Sequence, residues 1–280
     1  MRAKQGLSFQ EDESLLAFIH IEKTAGETIK WILRSTYGLN HCDVSASDVF
    51  KPLYPYQLDR MQKVYPRMDS IAGHPVTPYM DLEKGSCLPL QYFTFLREPV
   101  SQCASYFQYL AITLGIYPSD RFEEWIQTEW PHNMQSKRIC GEASAQKAME
   151  MIRQKNIFVG LTERFDESIF FLKTFVRPGL YLGYHQRNIA PSNQLARQLL
   201  NDDRTRGLLA DAVREDIMLY EWARNEWYPQ YAALFAQQIG ALPPSSFPFE
   251  KQGYHAAHVL INRIYRNLVF RPFETFYARR

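Results

Sequence analysis

Short, almost continuous apolar runs alternate along the chain with segments whose apolar residues recur at helical spacing. The runs cover residues 15–21 (LLAFIHI), 90–96 (LQYFTFL) and 157–162 (IFVGLT), and residues 70–74 (SIAGH) predict the end of a further short strand. A near-continuous apolar run is typical of a strand that is buried on both faces. Buried strands that alternate with helices predict an α/β fold, in which helices flank a central parallel sheet and the connections are right-handed.

Helix signals follow these runs. Residues 26–37 place Ile29, Ile32 and Leu33 at helical spacing, and Gly38 offers a C-terminal stop. Pro99 suits the first turn of the helix after the second run. Further helices are predicted within 44–68, over 120–129 with Asp120 and Glu123 near its start, over 144–154 with Ser144 as its cap, from the third run to about 176, and over 203–239 as two helices broken near Pro229.

Composition narrows the class of protein. The 280 residues are 46% hydrophobic and 14% aromatic, which suffices for a substantial core in one large domain or two small ones. We expect one domain over 1–242, with a C-terminal extension over 243–280, opened by Pro243-Pro244, packed on it. A net charge of +2 argues against a dedicated nucleic-acid-binding protein but allows a local basic pocket for an anion.

The cysteines and the apolar stretches indicate the cellular compartment in which the protein is expected. Four widely spaced cysteines show no metal-ligand pattern, so we expect reduced thiols and no metal site. No stretch reaches the about 18 apolar residues of a membrane span, and the N-terminus lacks the apolar core of a signal peptide. The expectation is a cytoplasmic protein without a membrane span, its oligomeric state left open.

The first candidate site is the polar segment Lys23 to Thr28, between the first strand and its helix. Ligands of parallel sheets lie beyond the carboxyl ends of the strands, and a helix N-terminus favours an anion. Lys23 adds a charge, Thr24 and Thr28 add hydroxyl donors, and Gly26 allows close approach of the backbone. The segment is not a Walker A loop, because its lysine precedes its only glycine. The alternative is a surface turn whose threonines cap a helix.

The second candidate site is Arg97, which ends the strand over 90–96. Its guanidinium can bind a phosphate through two hydrogen bonds, and Ser105, one to two turns into the next helix, can add another. The alternative is an ion pair of Arg97 with Glu98 or with another nearby group, with Ser105 incidental.

Together these segments resemble sulfotransferases that use 3′-phosphoadenosine 5′-phosphosulfate (PAPS). FIHIEKTAGET (18–28) resembles their 5′-phosphosulfate loop, and TFLREPVSQCASYF (94–107) is similar to their 3′-phosphate motif. The nearest likeness is to carbohydrate sulfotransferases of the heparan sulfate 2-O-sulfotransferase type, from about residue 15 to 235. It extends, in the same order, to IAGHPVTPY (71–79), NMQSKRICG (133–141), NIFVGLTERFDESIFFL (156–172) and EDIMLYEWA (215–223).

The resemblance implies a sheet of the P-loop-kinase type and a division of roles. Lys23 would contact the sulfate and the phosphate oxygen that leaves, while Arg97 and Ser105 would hold the 3′-phosphate. No metal is needed where Lys23 neutralises the leaving group. The 5′-phosphate would be wrapped, largely by backbone N–H groups, by Thr24, Ala25, Gly26, Glu27 and Thr28.

The resemblance also implies a catalytic base. His74, in a Gly-His segment between the two phosphate motifs, would deprotonate the acceptor hydroxyl, because imidazole titrates near the working pH. The alternative is a structural histidine, with His185 as the reserve base or an acceptor contact. Arg187 and Asn188 fall where the relatives close over the nucleotide.

Departures from the family pattern stand at two loop positions. Glu22 replaces the usual proline, and Glu27 stands where a small or hydroxyl residue is common, so its carboxylate must point away from a phosphate or pair with a cation. Many relatives begin with a membrane anchor, which this sequence lacks, so the acceptor is expected to be a carbohydrate, a lipid or a small metabolite.

Two other functions stay open at this point. They are a P-loop-related nucleotide kinase or NTPase, and a non-catalytic nucleotide-binding protein. The basic C-terminal tail is either a solvated end or an attraction for an anionic acceptor.

Overall fold

The computed structural model describes residues 13–44, 51–65, 67–128, 132–184, 193–244, 246–247 and 255–278. Within them the strands form one parallel sheet in the order β2-β3-β1-β4-β5. The α/β prediction, with a central parallel sheet flanked by helices, is confirmed. The strands are β1 (Leu15–Ile19), β2 (His41–Asp43), β3 (Ser70–Gly73), β4 (Leu90–Leu96) and β5 (Phe158–Leu161).

The helices lie between and after the strands. They are α1 (Gly26–Tyr37), α2 (Pro55–Val64), α3 (Pro99–Gln108), α4 (Phe122–Ile126), α5 (Met134–Cys140), α6 (Ala145–Gln154), α7 (Phe165–Phe171), α8 (Gln194–Asn201), α9 (Asp203–Ala212), α10 (Arg214–Trp222), α11 (Pro229–Ile239), α12 (Ala256–Tyr265) and α13 (Arg271–Ala278). Single π-helical turns follow α3, α7, α10 and α12 over Tyr109–Thr113, Leu172–Val176, Ala223–Trp227 and Arg266–Phe270. Short 3₁₀ segments cover Gly38–Asn40, Pro78–Met80, Leu82–Gly85 and Thr162–Arg164.

Local signals account for most of these bounds. The predicted helix over 26–37 is confirmed, and it ends at Gly38, whose φ of 52° suits glycine. The Ser144 cap is also confirmed, because its Oγ accepts a hydrogen bond of 3.3 Å from the Lys147 amide. The helix predicted over 120–129 is shorter and begins after Arg121, without a side-chain cap. The region 203–239 breaks at Val213 as well as near Pro229, so it holds more than the two predicted helices.

The sheet sets the position of the site. Every residue of β1 is fully buried, and Phe18 stacks on Phe93 of β4 with ring centroids 4.8 Å apart. In the register of the sheet, Ile19 of β1 pairs with Gly73 of β3 and with Thr94 of β4. The residues that follow these three parallel strands therefore emerge at one edge of the sheet.

The C-terminal helix contacts the end of α1. Asn262 donates to the carbonyls of Gly38 (2.9 Å) and His41 (2.7 Å), and His258 Nδ1 lies 2.7 Å from the Ser35 carbonyl. The division at residue 242 stays a prediction. In the part of the chain that the structure describes, no helix is long and apolar enough to cross a membrane. None of the four cysteines, all of which the structure describes, forms a disulfide.

Candidate functional site

A cavity of about 450 Å³ opens where β1, β3 and β4 end. It brings together segments that lie far apart in the sequence. The predicted site residues that line it are Lys23, Ala25, Gly26, Glu27, Thr28, His74, Arg97 and Ser105. Its wall also includes His20, Glu22, Tyr106, Tyr109, Thr162, Phe165, Tyr184 and Asn193, most of which the sequence did not single out. The predicted residues His185, Arg187 and Asn188 lie outside the described residues.

The loop before α1 has an unusual backbone. Lys23 and Ala25 have φ angles of 62° and 63°, in the left-handed region that non-glycine residues rarely adopt. Each costs about 1–2 kcal/mol relative to ordinary helical geometry. A left-handed residue followed by a helical one, as at Ala25 and Gly26, forms a concavity of N–H groups that suits an anion. Ala25 provides no side-chain cap, so the strained loop opens α1 without a competing acceptor at that position.

Side chains from other elements hold the loop in this shape. Gln102 of α3 donates to the Glu22 carbonyl (2.8 Å), and Arg97 Nη1 donates to the Lys23 carbonyl (3.0 Å). The hydroxyl of Thr24 turns inward and donates to the Ile21 carbonyl (3.0 Å) in a fully buried position. Thr24 is therefore not among the residues that line the cavity, and its hydroxyl is not the donor that the sequence suggested.

Gly26 is required by packing. A Cβ atom at this position would lie 1.9 Å from both Cδ2 and Nε2 of His20. Because Gly26 has no side chain, the first turn of α1 can pack against the His20 ring, which lines the cavity.

Two cations share the cavity without a carboxylate partner. Among the residues with described side chains, neither Lys23 nor Arg97 has an ion-pair partner, and Lys23 Nζ lies 4.6 Å from the centroid of the Tyr109 ring. Burial, and next the charge of Arg97, lower the pKa of Lys23. Burial also lowers the pKa of Arg97, against the charges of Glu163 and Glu98, which raise it. The alternative of a local ion pair with Glu98 is wrong, because the Glu98 carboxylate caps α3 through the amides of Val100 (3.1 Å) and Ser101 (2.8 Å). Two cations that line one cavity, neither in an ion pair with a described side chain, suit an anionic ligand.

His74 presents one ring nitrogen with a defined proton. Its Nδ1 lies 2.8 Å from the His20 carbonyl oxygen, which can only accept, so Nδ1 carries the hydrogen. In the neutral ring, Nε2 then keeps its lone pair. Burial lowers the pKa of His74, and its side chain is still 26% exposed. The ring also stacks on His20 with centroids 4.0 Å apart. His74 therefore has a fixed ring orientation, and its Nε2 can accept a proton when the ring is neutral.

A buried ion pair lies behind His74. Arg138 of α5 contacts both carboxylate oxygens of Glu22, and its Nη1 donates to the His74 carbonyl (3.3 Å). Glu22 Oε1 lies 3.4 Å from His74 Nδ1. After burial, the Glu22 charge raises the pKa of His74 and the Arg138 charge lowers it. Glu22 thus forms part of the surroundings of His74.

Helix α5 also fixes Arg97. Gln135 accepts a hydrogen bond from the Arg97 amide (3.1 Å) and donates to the Arg97 carbonyl (2.9 Å). The start of α5 is held by Asp216 of α10, whose carboxylate accepts from the amides of Gln135 and Ser136 (both 2.8 Å) and from the Ser136 hydroxyl (2.7 Å). Burial raises the pKa of Asp216 to about 6. One short helix therefore supports both the Arg97 and the His74 sides of the cavity.

Glu27 takes one of the two arrangements expected for it. Its carboxylate forms an ion pair with Lys30, one turn further along α1. Within the described ranges, no group of three or more histidine, cysteine, aspartate or glutamate residues is placed to hold a metal ion.

Comparison with known proteins adds no family. No protein-family model matches the chain, and no curated protein matches it significantly.

Proposed function

We propose that this protein is a PAPS-dependent sulfotransferase, which moves the sulfuryl group of PAPS to a hydroxyl group of a carbohydrate, lipid or small-metabolite acceptor. The observation that carries the proposal is the convergence, in one cavity, of the Lys23 loop, the Arg97–Ser105 pair and His74. The resemblance of the separate sequence motifs supports it independently.

The donor set fits a nucleotide with phosphates at both ends. The left-handed loop and the start of α1 supply N–H groups for a 5′-phosphosulfate, and Lys23 supplies a positive charge there. Arg97, which follows the neighbouring strand β4, and Ser105 of α3 supply a guanidinium and a hydroxyl for a 3′-phosphate. The aromatic wall of Tyr106, Tyr109, Phe165 and Tyr184 suits the apolar faces of a base or a sugar ring.

The chemistry assigned to these residues follows from their state. PAPS, when bound, supplies a sulfuryl group on a phosphate leaving group. His74 Nε2 accepts the proton of the acceptor hydroxyl, since Nδ1 is already committed to the His20 carbonyl. The Lys23 ammonium stabilises the negative charge that develops on the leaving oxygen, in a site where burial strengthens electrostatic interactions. We also infer that the sheet is of the P-loop-kinase type, because the anion loop joins the central strand β1 to α1.

The experiment is an acceptor screen with labelled PAPS, read by mass spectrometry for an added sulfate. Sugars, glycolipids and phenolic metabolites are offered to the wild type and to two variants. His74→Asn should lower turnover by about 10²–10⁴-fold, because its amide can still donate to the His20 carbonyl but cannot take up a proton. His132→Asn, outside the cavity wall, is the matched control and should keep full turnover.

Two results would count against the proposal. If His74→Asn turns over every accepted substrate at the wild-type rate, the assignment of His74 as the base is wrong. If no acceptor is sulfated and PAPS does not bind, the assignment to this enzyme class is wrong.

A further inference from the structure

The C-terminal helix, residues 256–278, has two apolar faces. One face carries the buried residues Val259 and Phe270 and packs on the protein. The other face carries large aliphatic side chains that are open to solvent. They are Leu260 (57% exposed), Ile261 (42%), Ile264 (48%), Leu268 (73%) and Val269 (41%). We call these five residues the outer stripe.

Spacing makes the outer stripe continuous. Leu260, Ile264 and Leu268 follow one another at intervals of four residues, so they form a line along one side of the helix. Single exposed aliphatic residues are normal on a protein surface and need no partner. A line of them opposite the packed face is different, because it marks a surface that binds something apolar.

The charges beside the outer stripe indicate the partner. Arg263 and Arg271 are exposed on the same helix. Arg266, also on this helix, forms an ion pair with Asp43 (3.3 Å), so Arg263 and Arg271 are the arginines of the described part of the helix that are open to solvent. Aliphatic side chains in a line, flanked by arginines, are typical of a helix that lies in the plane of an anionic bilayer, where the aliphatic groups enter the interface and the cations meet the headgroups.

We propose that the outer stripe docks this protein on the surface of a membrane that contains anionic lipids. The helix lies on the bilayer with its packed face still on the protein. A second copy of the chain is the less suitable occupant, because two such helices laid together would bring exposed arginines of like charge into contact. The proposal is independent of the function proposed for the cavity.

The test uses the full chain and vesicles of phosphatidylcholine, with or without phosphatidylserine. Co-sedimentation should show binding that increases with phosphatidylserine and weakens with added salt. The double variant Ile264→Ser/Leu268→Ser should bind at least about tenfold more weakly, because it removes the centre of the outer stripe. Arg263→Gln/Arg271→Gln should lose most of the dependence on phosphatidylserine.

The control is Leu242→Ser, which removes an aliphatic side chain that is 82% exposed and lies outside the C-terminal helix. This variant should bind vesicles as the wild type does. All of the substituted side chains are exposed, so circular dichroism and thermal unfolding should match the wild type in each variant.

Three results would overturn the proposal. The first is an absence of binding to either kind of vesicle. The second is equal loss of binding in Leu242→Ser and in the double variant. The third is a wild type that does not bind vesicles but forms a dimer in sedimentation equilibrium, with the dimer lost in Ile264→Ser/Leu268→Ser. The outer stripe would then be covered by a second copy of the chain.

Discussion

The ion pair between Glu22 and Arg138 lies at the wall of the cavity, and both side chains are at most 10% exposed. Replacing Arg138 by glutamine leaves the Glu22 carboxylate buried without its cation and removes a hydrogen bond to the His74 carbonyl. Removing one partner of a buried ion pair costs about 3–5 kcal/mol of the free energy of unfolding. Arg138→Gln and Glu22→Gln should each fall in this range.

The double variant Glu22→Gln/Arg138→Gln should be less destabilised than the sum of the single variants. Two neutral amides can hydrogen-bond to each other, and no uncompensated charge stays buried. The coupling energy should be about 1–3 kcal/mol. Urea-induced unfolding of the wild type, both single variants and the double variant measures it. The exposed pair of Glu142 and Lys147 is the control, and the same substitutions there should show little coupling.

The same variants should shift His74 in opposite directions. The Arg138 charge lowers the pKa of His74 and the Glu22 charge raises it. The pKa of His74, followed by NMR, should therefore rise in Arg138→Gln and fall in Glu22→Gln. A coupling energy below about 0.5 kcal/mol, or a His74 pKa that neither variant moves, would refute this account of the pair.

Further predictions concern stability. Gly26→Ala should lower the free energy of unfolding by about 1–3 kcal/mol, because its Cβ would lie 1.9 Å from the His20 ring; Gly207→Ala in α9, with open space around its Cβ, is the control and should not destabilise. Burial holds the pKa of His20 well below 6.5, so the unfolded chain takes up a proton there that the folded chain does not. This contribution of His20 to the free energy of unfolding should be complete above pH about 6.5 and should fall below it by up to about 1.4 kcal/mol per pH unit. Urea unfolding of His20→Phe at several pH values should show a dependence on pH that is smaller by this amount. Asp216→Asn places an NH₂ group against N–H donors at the start of α5, so the free energy of unfolding in urea should fall by about 2–4 kcal/mol. An unchanged unfolding midpoint would show that these hydrogen bonds do not stabilise the start of α5.

Local patterns predict the elements whose signals are local. The run LLAFIHI predicts a strand, because burial on both faces gives a continuous apolar run. The spacing after Gly26 predicts α1, because burial on one face of a helix places apolar residues three or four positions apart. The edge strand β2 was missed because three residues are too few to show a period. The break at Val213 was missed because no glycine or proline marks it.

The site divides in the same way. Parallel strands end at one edge of a sheet, so the polar residues after β1, β3 and β4 could be expected to lie together, and Lys23, His74 and Arg97 do. Contacts between distant segments left no local signal. Arg138 lies 116 positions from Glu22, and Gln135 lies 38 from Arg97. A turned-in hydroxyl such as that of Thr24 is likewise decided by the fold and not by the residue type.

The central claim is that the cavity recognises a nucleotide by a 3′-phosphate in addition to its 5′ end. Titration calorimetry with 3′,5′-adenosine bisphosphate, adenosine 5′-phosphate and ADP tests it, because the first two ligands differ only in the 3′-phosphate. The bisphosphate should bind about ten- to a hundredfold more tightly than the other two, as expected for one to two charge-assisted hydrogen bonds. Arg97→Met and Ser105→Ala should each narrow this ratio, while the exposed control Arg204→Met should preserve it. ADP that binds as tightly as the bisphosphate, or a ratio that Arg97→Met leaves unchanged, would contradict the account.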